Sequence, residues 1–179
     1  MSLALVLGGT RSGKSGYAEA LITRHHASGD PPGADGRDRW VYLATAEALD
    51  DEMAERVARH QASRGGGWIT RECPHALTEA IAALAPGTPV LVDSLGMWVS
   101  NRLLAGADLA TERAALVGAL RASRAHLVLV SDEVGFGIVP DNALARRFRD
   151  ALGELNQAVA AIADEVVLMV AGLPLKVKG

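Results

Sequence analysis

The sequence predicts an α/β protein: a mainly parallel central sheet with helices on both faces, in three layers. Three observations carry this. Short apolar runs recur along the 179 residues, at Leu3–Leu7, Trp40–Ala44, Pro89–Asp93, His126–Val130 and Glu165–Ala171. Segments with apolar residues at helical spacing separate them. The runs are continuously apolar rather than alternating, as strands covered on both faces must be.

In chain order, Leu3–Leu7 is a strand that runs into a glycine-rich turn, and a helix follows over about 13–28 with Tyr17, Ala18, Leu21 and Ile22 in its pattern. Gly29–Gly36 is aperiodic and punctuated by Pro and Gly, which reads as an exposed loop. Trp40–Ala44 is a second strand, followed by a helix from Asp50 to about Arg64 that stops at Gly65-Gly-Gly67. Trp68–Glu72 reads as a short strand, and Pro74 opens a helix to about Ala85. After the strand Pro89–Asp93, helices are expected over roughly 96–105 and 109–124, then the strand His126–Val130. Asp141 is the expected N-cap of a long helix that places Leu144, Phe148, Leu152, Leu155 and Val159 on one face. Glu165–Ala171 is expected to close the sheet. With no repeat or low-complexity block, residues 1–179 read as one domain.

Composition narrows the function classes. Hydrophobic residues make up 49% and charged residues 22%, as in a globular domain that buries about 70% of its unfolded surface. The net charge of −3 supplies no basic field for nucleic acid or an anionic membrane. One cysteine, Cys73, excludes an internal disulfide and a thiolate metal cluster. No run approaches the ~20 apolar residues of a membrane span, and the start of the chain lacks a signal-peptide layout. A cytoplasmic protein without stable membrane insertion is expected.

The chemistry begins at Gly8-Gly9-Thr10-Arg11-Ser12-Gly13-Lys14-Ser15. This is the G-x-x-x-x-G-K-[ST] phosphate-binding loop, in its required place between a strand and a helix. The glycines let successive backbone N–H groups turn inward toward phosphate oxygens, and the helix N-terminus adds its positive end. Lys14 can reach the β- and γ-phosphates, and the Ser15 hydroxyl can ligate Mg²⁺. The fold expected is therefore a P-loop NTPase of the RecA-like kind, binding a nucleoside triphosphate.

Such a loop needs a metal-holding carboxylate at the tip of a neighbouring strand. Asp93 is preferred, as the single acid ending an apolar strand; Asp132-Glu133, after the strand ending at Val130-Ser131, is the competitor. A solvated turn acid is the plain reading of either. Asp93-Ser-Leu-Gly96 imitates the D-x-x-G switch of regulatory GTPases, but no N-K-x-D guanine-reading motif accompanies it.

On the helix expected over 50–64, Arg56, His60 and Arg64 stack at four-residue spacing. Two guanidinium groups beside an imidazole would keep it neutral and nucleophilic, and could hold a triphosphate before it. By spacing alone a solvated basic face with an incidental histidine is the preferred reading of the column. Glu133-Val-Gly-Phe-Gly-Ile-Val-Pro140 is a shaped loop at the ligand edge of the sheet, fit either to bind substrate or to connect strand and helix.

Together these stretches resemble the bifunctional adenosylcobinamide kinase / adenosylcobinamide-phosphate guanylyltransferase family of cobalamin biosynthesis. The resemblance spans nearly the whole chain. It includes Gly8–Ser15, Tyr42-Leu-Ala-Thr-Ala46, Asp51-Glu-Met53 with Arg56, His60 and Arg64, and Trp68 with Glu72. It continues through Leu91-Val-Asp93 with Trp98-Val-Ser-Asn101, Glu133–Pro140, Leu144–Asp150, Leu155-Asn-Gln157 and Ala171-Gly-Leu-Pro-Leu-Lys176. It implies that adenosylcobinamide is phosphorylated from ATP or GTP, and that His60 then attacks the α-phosphate of GTP and carries GMP to adenosylcobinamide phosphate. By the same matching, Ala44, Thr45, Ala46, Gln61, Ala62, Ser63, Arg64, Glu72 and Asp93 line the GTP site with the phosphate loop, Ser15 and Asp93 hold Mg²⁺, and the protein is a homotrimer. Two departures stand out: Asp132 occupies a position where the family pattern leads one to expect Asn or another polar residue, and Ser94-Leu-Gly-Met97 replaces the commoner Cys-Leu-Thr-Leu. The loop over 29–39 is also longer than usual. Competing readings are another small-molecule P-loop kinase, which gives His60 no task, and a RecA-like ATPase subunit, which the charge and the absence of a basic aromatic patch disfavour.

Overall fold

The computed structural model describes residues 2–25, 40–47 and 66–179. The helix expected over 50–64, with His60, Gln61, Ala62, Ser63 and Arg64, and the loop expected over 29–39 lie outside these residues.

Seven strands form one sheet in the order β3-β2-β4-β5-β1-β6-β7. They are β1 (Ser2–Gly8), β2 (Trp40–Ala44), β3 (Trp68–Glu72), β4 (Pro89–Asp93), β5 (His126–Asp132), β6 (Glu165–Val170) and β7 (Leu173–Lys178). The first six are mutually parallel. β7 turns back antiparallel to β6, so β6 does not end the sheet as the sequence suggested.

Five helices are described: α1 (Lys14–His25), α2 (Leu77–Ala82), α3 (Leu95–Leu104), α4 (Leu109–Ala122) and α5 (Ala143–Ile162). Strand alternation feeds two separate cores. Ala4, Val6, Leu91, Val128, Val130 and Val167 face α1 through Ala18 and Ile22. Leu3, Leu5, Val90, Val92, Leu127 and Leu129 face Leu77, Trp98, Leu116, Leu120, Leu152 and Leu155 of α2–α5. The result is the expected three-layer α/β arrangement.

Three of the described helix starts are capped by side chains, that of α4 by Asp108, whose Oδ1 accepts from the Ala110 N–H at 3.1 Å. Ser94 accepts from the Met97 N–H at 3.2 Å and begins α3. α5 is capped by Asn142, whose Oδ1 accepts from Leu144 at 2.7 Å and Ala145 at 3.2 Å. The cap expected at Asp141 is thus one residue out: the Asp141 carbonyl instead accepts from the Arg146 guanidinium at 2.7 Å.

Because six strands run the same way, the ends of β1, β2, β3, β4 and β5 lie along one edge of the sheet. Gly8 pairs with Asp132, and Ala44 pairs with both Glu72 and Asp93. That edge is where a parallel α/β sheet binds ligands.

Candidate nucleotide site

The loop between β1 and α1 is shaped by its own sequence. A Cβ at Gly8 would lie 2.4 Å from the Ser12 Oγ and 3.1 Å from the Met169 carbonyl, so a side chain there would force Ser12 out of its place in the loop. Gly13 takes φ 90° and Arg11 φ 57°. Glycine adopts that region freely, whereas Arg11 is held there against its preference. Ser12 N–H bonds the Gly9 carbonyl at 3.2 Å, and Tyr17 N–H bonds Gly13 at 3.0 Å as α1 begins. Behind the loop, the Gly172 N–H donates to the Ser12 carbonyl at 3.0 Å. The turn between β6 and β7 therefore braces the phosphate loop. The motif Ala171–Lys176 was visible in the sequence, but nothing in it signalled that task.

Lys14 Nζ lies 2.8 Å from Asp132 Oδ1 and 3.2 Å from the Gly9 carbonyl. Two protein oxygens thus hold its ammonium at the mouth of the loop. Asp93, the preferred metal carboxylate, sits one strand farther from β1 than Asp132 and accepts from the Tyr42 hydroxyl at 3.0 Å. Tyr42 belongs to a motif visible in the sequence, and the pairing of β2 with β4 brings its hydroxyl to Asp93. Glu133 folds its carboxylate onto the Gly135 N–H at 2.6 Å.

The predicted residues of β2 and its end divide into two kinds. Ala44 and Ala46 are half-buried, while Thr45 is fully buried. The Thr45 hydroxyl donates to the Ser94 carbonyl at 2.7 Å and accepts from the Ser94 N–H at 2.8 Å. Asn101 Nδ2 donates to the Thr45 and Pro74 carbonyls at 2.8 and 3.1 Å. Thr45 and Asn101 thereby lock the ends of β2 and β4 together, and the Thr45 hydroxyl is occupied within the protein. Glu72 is exposed at the end of β3.

Mg²⁺ is usually held by one or two carboxylates, several waters and substrate phosphates rather than by a full protein cage. No group of three His, Cys, Asp or Glu residues able to hold a metal occurs among the described residues. A hydroxyl at Ser15 and an acid at Asp93, on the edge that carries the phosphate loop, are oxygen donors of the kind that ion accepts. No helix among the described residues is long and apolar enough to cross a membrane.

Among solved structures, the P4 protein from bacteriophage phi6 in complex with ADP aligns with 97% of this chain and 52% of its own, at 15% identity and a TM-score of 0.42. Among curated proteins, the bifunctional adenosylcobalamin biosynthesis protein CobU of Salmonella typhimurium is 43% identical over 98% of this chain and 99% of its own length. CobP of Pseudomonas aeruginosa is 41% identical over 98% and 96%. The Escherichia coli CobU is 40% identical over 98% and 99%. The family described as cobinamide kinase / cobinamide phosphate guanyltransferase matches residues 4–177. The chain belongs to that family.

Proposed function

We propose that one triphosphate site serves two successive transfers: adenosylcobinamide is phosphorylated from ATP or GTP, and the product then receives GMP from GTP. The observation that carries this is the phosphate loop Gly8–Ser15, braced between β1 and α1 with Lys14 at its mouth, in a chain whose family match runs from residue 4 to 177. In the first transfer the substrate hydroxyl oxygen attacks the γ-phosphorus, its proton is lost, and the bond from that phosphorus to the bridging oxygen breaks. Here the protein's part is positioning and charge neutralisation by the loop N–H groups and Lys14. Ser15 and Asp93 would hold Mg²⁺, which when bound offsets charge on the phosphates.

In the second transfer a ring nitrogen of His60 attacks the α-phosphorus of GTP and pyrophosphate leaves. A phosphate oxygen of adenosylcobinamide phosphate then displaces the imidazole, so the P–N bond breaks and adenosylcobinamide-GDP forms. A neutral imidazole is a competent nucleophile for such a two-step transfer. Gln61, Ala62, Ser63, Arg64, Glu72 and the Ala44–Ala46 segment complete the nucleotide site in this reading; the alignment of Ala44, Glu72 and Asp93 on one sheet edge supports it. We assign the whole chain to one nucleotide-binding domain, in a cytoplasmic homotrimer.

Incubation with α-labelled GTP is expected to leave acid-labile, base-stable label on the protein. His60→Ala should abolish the label yet keep the kinase, whereas Lys14→Ala should depress both activities. Undiminished label on the His60 variant would sink the histidine assignment.

A further inference from the structure

The Lys14–Asp132 pair has a seat that depends on a third residue. Asp132 ends β5 opposite Gly8. Strand alternation sends the preceding Ser131 toward α5, where its hydroxyl meets Asn156 Oδ1 at 2.6 Å, and leaves Asp132 free to reach Lys14 of α1. Asn156 Nδ2 also donates to the Asp132 carbonyl at 3.1 Å, and Glu133 N–H donates to the Gly8 carbonyl at 3.1 Å. The backbone under the carboxylate is therefore fixed. Its second oxygen, Oδ2, lies where Gly96 has no side chain: a Cβ there would stand 2.4 Å from it. Gly96 belongs to the first turn of α3 and is itself buried. Two of the departures from the family pattern, Asp132 and Gly96, are thus neighbours in space.

We propose that Asp132, seated by Gly96, is a positioning residue for Lys14 that stands in for phosphate and sets the affinity of the loop for triphosphate. This inference rests on reading Gly8–Ser15 as the triphosphate site. A lysine ammonium has three N–H donors and no acceptor. Asp132 and Gly9 take two of them. An arriving triphosphate competes for the same donors and meets the Asp132 charge beside them. Asp132 consequently weakens ground-state nucleotide binding and hands Lys14 over in a preset place.

The test is titration of GTP into the full chain with Mg²⁺ present, followed by steady-state kinase kinetics. Asp132→Asn should tighten the GTP Kd about tenfold, the effect of one weakened charge contact, and the kinetic change should lie in KM for the nucleotide. Gly96→Ala displaces the carboxylate and should tighten GTP binding in the same direction. In an Asp132→Ala background Gly96→Ala should change Kd little, because the group it displaces is gone. Melting curves confirm that each variant is folded; if Gly96→Ala fails to fold, Asp132→Asn alone decides. A kcat loss of about 10² or more with KM unmoved, the size expected for a lost general base, would overturn the inference in favour of proton transfer by Asp132. Unchanged Kd in Asp132→Asn would overturn it outright, while GTP binding by the unaltered chain would leave the phosphate-loop reading standing. Absence of GTP binding by the unaltered chain would overturn both.

Discussion

Cys73 shows how a single residue reports on the fold around it. It follows β3, its N–H donates to the Ala44 carbonyl at 2.8 Å, and its side chain is buried. Burial disfavours the thiolate and pushes the thiol up from 9.0 to about 11. The unfolded chain releases this proton near pH 9, whereas the folded chain keeps it to about 11. Between those values the unfolded state binds fewer protons, so stability falls as pH rises. The full shift is worth about 3 kcal/mol at about 1.4 kcal/mol per pKa unit, of which roughly 2 kcal/mol is lost by pH 10.5. Urea unfolding at pH 8 and pH 10.5, on the natural chain and on Cys73→Ala, isolates it. The variant should lose less stability over that interval, and an equal loss would show that the thiol is not desolvated as described. The sequence excluded a disulfide and a thiolate metal cluster at this cysteine. It offered no sign that Cys73 sits beside the end of β2, because that contact is made across the sheet.

At the scale of elements, the strands were more legible than the helix ends. The runs Pro89–Asp93 and Trp68–Glu72 emerge with the expected bounds, since an apolar or β-branched run between turn residues has few alternatives. β7 was missed for a physical reason. Leu173-Pro-Leu-Lys-Val-Lys178 contains a proline and leaves Leu173, Leu175 and Val177 exposed. Proline counts against a strand except at an edge, and edge position is a property of the whole sheet. The start of α5 turned on two adjacent cap-forming residues, Asp141 and Asn142, which composition alone does not rank. The structure ranks them. Asn142→Ala should cost about 1 kcal/mol by removing the acceptor for Leu144 and Ala145. Asp141→Ala should stay within about 0.5 kcal/mol, since among the described residues its backbone carbonyl is what is engaged. Denaturant midpoints of the two variants, compared at equal m-value, decide between them.

The whole molecule explains why the site was legible in kind and less so in partners. The phosphate loop carries its chemistry locally, so Gly8–Ser15 could be recognised in one stretch. Strand order is non-local, and it inserts β5 between β1 and β4. Asp132 is thereby placed beside Lys14, while Asp93 stands beyond it with Tyr42. No spacing in the sequence ranks those two acids by distance from the loop. The same order makes the proposed nucleotide site a junction: the loop is braced by the turn after β6, its lysine by β5, and the adjoining edge by Thr45 and Asn101. A ligand gripping that junction binds the folded state alone and should stabilise the entire chain. With GTP at about 100 times its Kd, mass action adds ~2.7 kcal/mol. For a chain of 179 residues, this corresponds to a Tm rise of roughly 5–10 °C, at about 2–4 °C per kcal/mol. Lys14→Ala should lose most of that rise at the same GTP concentration, because the cation proposed to face the phosphates is gone. His60→Ala, altered at the proposed nucleophile, should keep a substantial part of it. A Lys14 variant that matches the natural chain in this measurement would place the triphosphate away from the loop.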